Sequence, residues 1–122
     1  MKTATLAATL SLALAALASV ASAQTIGGRY QVAGKNFNGT NYSGTAEIVS
    51  TSNNTCRITW VTGSTTARGI CMRNGNSFAA GYNMGGSVGL VIYEVKADGT
   101  LDGLWTIADQ PGMGAEKLTP VK

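Results

Sequence analysis

A chain without histidine closes off the imidazole base, the imidazole-assisted nucleophile and the histidine-bound zinc site together. Acid–base chemistry is left to six carboxylates: Glu47, Glu94, Asp98, Asp102, Asp109 and Glu116. Two of them facing each other across a sugar would serve glycoside hydrolysis, but nothing in their order along the chain pairs them. Asp98 precedes Gly99 in a turn signature, which accounts for it. Glu94 and Asp102 alternate with apolar neighbours, as solvent-facing strand residues do. Ser and Thr are plentiful, yet none sits in a nucleophile-elbow setting. The Gly-rich pieces Met84-Gly85-Gly86-Ser87 and Pro111-Gly112-Met113-Gly114 lack the following helix start that a phosphate cradle requires. The chain is therefore expected not to be an enzyme, with no catalytic residues, no metal site and no cofactor.

The residues with more to offer are aromatic: Tyr30, Trp60, Phe78, Tyr82, Tyr93 and Trp105. Filling a core accounts for rings of this kind in a small domain. The alternative is that Trp60, Tyr82 and Trp105 line the mouth of a cavity, where apolar walls with a few polar tips select a small ligand. Basic residues give no such focus. Arg29, Lys35, Arg57, Arg68, Arg73, Lys96, Lys117 and Lys122 are scattered, without the clustering and interleaved aromatics of a nucleic-acid footprint. No nucleic-acid partner is expected. Asn-x-Ser/Thr triplets at Asn38, Asn41 and Asn53 read as turn polarity rather than glycan acceptors.

Positioning these side chains falls to strands. Beyond residue 23 no stretch places apolar residues at helical spacing; short alternating runs are separated by Gly, Asn, Asp and Ser. That pattern predicts an all-β barrel or sandwich with strands near 28–33, 42–49, 56–62, 65–72, 77–82, 89–96, 101–107 and 114–119. Gly63-Ser64 suits a two-residue turn, which sets Trp60 opposite Ala67, Ile58 opposite Gly69 and Cys56 opposite Cys71. A two-residue turn at Asn74-Gly75 then sets Cys71 beside Phe78, Gly69 beside Ala80 and Ala67 beside Tyr82.

At Asn38-Gly39 a two-residue loop puts Tyr30 opposite Glu47, a poor match. A bulge near Gly34, or a longer loop from Gly34 to Asn41, restores an inner set of Tyr42, Gly44, Ala46 and Ile48. At Asp98-Gly99 a two-residue loop places Leu90 and Ile92 with Trp105, and a three-residue loop places Val91, Tyr93 and Val95 there. The fold expected is a small antiparallel eight-stranded up-and-down barrel, lipocalin- or avidin-like in outline, with a two-sheet sandwich as the alternative. Such a barrel is just wide enough to be filled by side chains or to hold one small ligand.

The first 23 residues differ in kind. A basic start at Lys2, a Leu- and Ala-rich run from about Ala4 to Ala18, and the ending Ala21-Ser22-Ala23 have the three parts of a secretory signal peptide. The apolar run is shorter than the ~20 residues that cross a bilayer, so no membrane span is expected after cleavage. Residues 1–23 are read as leader and residues 24–122 as one domain, periplasmic or secreted. Two cysteines in an oxidising compartment predict a Cys56–Cys71 disulfide, worth roughly 3 kcal/mol for a loop of this length.

Gly89-Leu90-Val91-Ile92-Tyr93, Asp98-Gly99-Thr100-Leu101-Asp102-Gly103-Leu104-Trp105 and the run from Gly112 to Pro120 carry a likeness, together with Tyr30-Gln31-Val32-Ala33-Gly34 and Tyr42-Ser43-Gly44. With these motifs the chain resembles short secreted proteobacterial proteins labelled fibronectin-binding protein. The resemblance implies an extracellular or periplasmic binding role and brings no catalytic residues with it. Expected partners are thus an extracellular protein or a small molecule. The alternative function is a periplasmic or secreted protease inhibitor built on a barrel, acting through a segment such as Gln24 to Gly28.

Overall fold

The computed structural model describes Thr3 and residues 25–122; the expected leader, residues 1–23, lies outside the described residues apart from Thr3. Eight strands follow one another: β1 (Gly28–Lys35), β2 (Asn41–Ser50), β3 (Thr55–Thr62), β4 (Thr65–Asn74), β5 (Ser77–Met84), β6 (Ser87–Val95), β7 (Leu101–Ile107) and β8 (Gly114–Pro120). Each pairs antiparallel with its neighbour in sequence, and β1 pairs with β8, so the sheet is a closed barrel rather than a sandwich. Closure leaves no free edge to recruit another chain.

Alternation along the strands decides which side chains enter the barrel. Tyr30 and Val32 of β1, Ala46 and Ile48 of β2, and Ile58 and Trp60 of β3 are buried, while their sequence neighbours face out. Phe78, Tyr93, Ile58, Leu101 and Leu118 are the largest fully buried side chains. Outside, β4 to β7 expose a run of apolar residues: Ile70, Met72, Leu90, Ile92 and Leu104.

The β3–β4 hairpin turns at Gly63-Ser64 as predicted, with Gly63 at φ +61°. Cys56 faces Cys71 and is bonded to it, the Cα atoms 4.9 Å apart. The next hairpin requires a correction. Its two-residue turn is Gly75-Asn76, not Asn74-Gly75, because Asn74 pairs with Ser77. Cys71 therefore faces Ala80, Gly69 faces Tyr82 and Arg73 faces Phe78. Moving a turn by one residue moves every partner by two, so the inward set survives the change. The observed register puts small Ala80 rather than Phe78 beside the cystine, and it puts Gly75, at φ +59°, first in the turn.

The two undecided hairpins resolve alike. Lys35 pairs with Asn41 and Val95 with Leu101, leaving five-residue loops, residues 36–40 and 96–100. In one, Asn38 Oδ1 accepts from the backbone N–H (3.1 Å) and hydroxyl (2.6 Å) of Thr40. In the other, Asp98 Oδ1 accepts from the same groups of Thr100, at 3.0 and 2.6 Å. The longer loops set Tyr30 opposite Ala46 and Val91 opposite Trp105, so Val91, Tyr93 and Val95 face inward.

Candidate functional site

Large rings enter so narrow a barrel because small partners make room for them. Tyr42 lies over Gly34, Tyr82 over Gly89, Tyr93 over Gly103 and Trp105 over Gly114, and each pair is directly opposed across neighbouring strands. A methyl group at these glycines would lie 2.1 to 2.5 Å from the ring that covers it. The device lets one wall hold an aromatic side chain without widening the sheet.

At one end, between loop 36–40 and the turns at Gly63-Ser64 and Gly85-Gly86, the rings leave a cavity of about 530 Å³. Trp60, Tyr82 and Trp105, the three residues predicted from sequence to line a mouth, all line it, with Tyr42, Met84 and Glu116. The rings contact one another edge to face: Trp60 and Tyr82 have centroids 5.2 Å apart, and Tyr42 and Trp105 6.2 Å. Phe37, from loop 36–40, stacks on Trp105 at 4.8 Å. Below this space Phe78 and Tyr93 pack together and close the middle of the barrel, while a separate cleft of about 700 Å³ opens at the far end beside Ile26, Ile48 and Phe78.

Glu116 supplies the site's carboxylate. Its position on β8 between inward-facing Gly114 and Leu118 points it into the barrel. Tyr42 donates its hydroxyl to Oε1 at 2.9 Å, Trp60 Nε1 donates to Oε2 at 3.1 Å, and the Tyr93 hydroxyl donates to Oε2. Three donors around one carboxyl suit its ionised form. Burial nevertheless raises its pKa above the usual 4.5, against the lowering effect of those hydrogen bonds. In return, burial and the nearby Glu116 charge push the Tyr82 hydroxyl up to about 12 and raise those of Tyr42 and Tyr93 as well.

Two further features complete the mouth. Neither Lys nor Arg is among its described lining residues, so Glu116 is the one formal charge there. Trp105 Nε1, close enough to the Tyr42 hydroxyl to bear on its titration, is buried and closes no hydrogen bond. Buried polar groups without a partner are uncommon in folded proteins.

Sequence reasoning missed Glu116, Tyr42 and Phe37 as site residues. Glu116 was detectable, because Gly114, Glu116 and Leu118 share one parity on β8. Phe37 was not, since its contact depends on how loop 36–40 folds. The remaining carboxylates stay outside: Glu47 lies 3.8 Å from Arg29, while Glu94 and Asp102 flank Lys96 at 3.1 and 3.9 Å. Among the described residues no group of three or more potential ligands is placed to hold a metal ion.

No family model matches the chain, and no curated protein matches it. Solved structures do. A redesigned β-barrel is similar with a TM-score of 0.69 at 13% identity, over 80% of this chain and 92% of its own. A de novo designed fluorescence-activating β-barrel is similar with a TM-score of 0.64 at 13% identity, over 78% of this chain and 93% of its own. At that identity the likeness is one of fold: this chain is similar to small, closed, designed barrels.

Proposed function

We propose that this protein is an exported, non-enzymatic binding protein that holds a small molecule in the aromatic mouth of its barrel. The observation that carries the reading is the aromatic end of the barrel, where about 530 Å³ is walled by Trp60, Tyr82, Trp105 and Tyr42 above a buried carboxylate. Aromatic walls set among the polar residues Asn36, Asn41, Ser43, Thr62 and Thr65, with one buried carboxylate, suit an amphipathic small molecule. Glu116 is tied to three donors, which fits a fixed recognition element better than a base that must give and take protons. The Cys56–Cys71 disulfide supports an oxidising compartment, periplasmic or extracellular.

The inhibitor alternative is less well supported, because Ile26 packs against the core instead of projecting. A fibronectin-type role would use the outer surface and leaves the mouth unexplained. The test is native mass spectrometry of protein isolated from cells that export it. A small-molecule adduct is expected, and Trp105→Leu should lose it while keeping the barrel's circular dichroism. Protein that carries no adduct, and whose tryptophan fluorescence ignores a chemically diverse panel, would end the small-molecule reading.

A further inference from the structure

We infer that the ligand of this mouth is an organic ammonium ion, its cationic head held among the faces of Trp60, Tyr82 and Trp105 beside the Glu116 carboxylate. The inference rests on the small-molecule reading above and names its ligand class. Aromatic faces carry negative quadrupole potential, and a cation within about 6 Å of a ring centroid is attracted to it. Here the edge-to-face pairs Trp60–Tyr82 (62°) and Tyr42–Trp105 (74°) both line the one cavity, so it is boxed by rings in different planes, with Phe37 stacked on Trp105.

Charge points the same way. Glu116 lines the cavity and no lining residue is basic, so the field inside attracts cations and repels carboxylates or phosphates. A buried carboxylate with only neutral donors around it bears a desolvation cost that a cationic ligand would offset. The hydroxyls of Tyr42 and Tyr82 are already spent, donated to Glu116 and to the Thr106 carbonyl (3.1 Å). Their oxygens keep lone pairs, which suit a cation, while the unpartnered Trp105 Nε1–H is left as a neutral donor for a polar substituent of the same ligand.

An inorganic ion fits less well. Calcium requires six to eight oxygen ligands and magnesium a near-ideal octahedron, and one carboxylate among indoles and phenols supplies neither. A weakly hydrated alkylammonium loses little water on entering such a box and gains dispersion from every wall.

Both tryptophans of the chain line the cavity, so intrinsic fluorescence reports its occupancy without a label. The experiment titrates the purified, disulfide-bonded protein with choline, with choline's neutral tert-butyl isostere, and with an aliphatic carboxylate of matched size. Choline is expected to bind roughly tenfold or more tighter than the isostere, with the carboxylate weakest. In Glu116→Gln the choline preference should shrink several-fold, and in Tyr82→Leu choline should weaken while the isostere changes little. The comparison on unaltered protein stands even where a variant fails to fold. Equal binding of choline and the isostere would overturn the ammonium inference and leave the small-molecule reading in place. Tighter binding of the carboxylate, or no response to choline at all, would also overturn it; the co-purified adduct judges the broader reading separately.

Discussion

At the scale of single residues, Glu116 ties stability to pH in a direction opposite to most carboxylates. Burial raises its folded pKa, so the folded protein keeps the proton to higher pH than the unfolded chain does. Its stability contribution is full below about pH 4.5 and is lost as pH rises through the raised value. The urea midpoint of the native sequence should therefore fall relative to Glu116→Gln on going from acid to neutral pH; parallel profiles would contradict this. The variant itself should cost about 1–3 kcal/mol, because its amide offers one neutral acceptor oxygen where the carboxyl takes donors from Tyr42, Trp60 and Tyr93 on two. The four tyrosines, Tyr30, Tyr42, Tyr82 and Tyr93, all have raised pKa values, with burial the leading cause in each. They too contribute stability that is present below the ordinary value of 10.0 and lost above it. An alkaline titration followed by tyrosinate absorbance should show no step near pH 10.0 in the folded protein, and should rise together with unfolding.

At the scale of strands and turns, sterics separate glycines that look equivalent in sequence. A Cβ on Gly69 would lie 2.1 Å from the Gly81 carbonyl oxygen, a backbone atom that cannot move alone. A Cβ on Gly81 meets nothing nearer than Leu90 Cδ2, at 3.8 Å on the outer face. Gly69→Ala should therefore destabilise by about 2–3 kcal/mol, whereas Gly81→Ala should be neutral or stabilise by up to ~1 kcal/mol. Urea midpoints for the pair check this, and equal effects would refute it. The same scale explains what was legible in the sequence. The eight strands and the Cys56–Cys71 pairing follow from alternation and from Gly63-Ser64, since that dipeptide admits one natural turn. Around Gly75 two turns are possible, and the choice lies in packing, with Ala80 rather than Phe78 beside the cystine. Loops 36–40 and 96–100 carried a signal that dipeptide reasoning passes over, the Thr after Asn38-Gly39 and after Asp98-Gly99, which bonds back to the Asn or Asp side chain. Trp60, Tyr82 and Trp105 could be placed near a mouth because hydrophobic parity turned them inward. The room for them could not, because it depends on which ring opposes which glycine.

At the scale of the whole molecule, closure through β1 and β8 brings the two ends of the described chain together. The Val121 N–H donates to the Arg29 carbonyl at 2.9 Å, at the end of the barrel opposite the aromatic mouth. The turn at Gly75-Asn76 lies at that same far end, since alternate turns of an up-and-down barrel share an end. A circular permutant that joins Lys122 to Thr25 by a short Gly/Ser linker and opens between Gly75 and Asn76 keeps every strand pairing. It also leaves Cys56 and Cys71 on one continuous segment, still 15 residues apart. The permutant should fold with an unchanged circular dichroism spectrum and retain the fluorescence response of the mouth. Reducing its disulfide should cost roughly 3 kcal/mol, as in the parent, because the bond constrains the same loop. Ending the chain at Met113 is the opposing case: it removes Glu116 and Leu118 and opens the barrel, leaving one edge of β1 and one edge of β7 unpaired. That truncation should not fold. A permutant that is oxidised yet unfolded would mean that hairpin order, and not closure of the barrel, is what holds the site together.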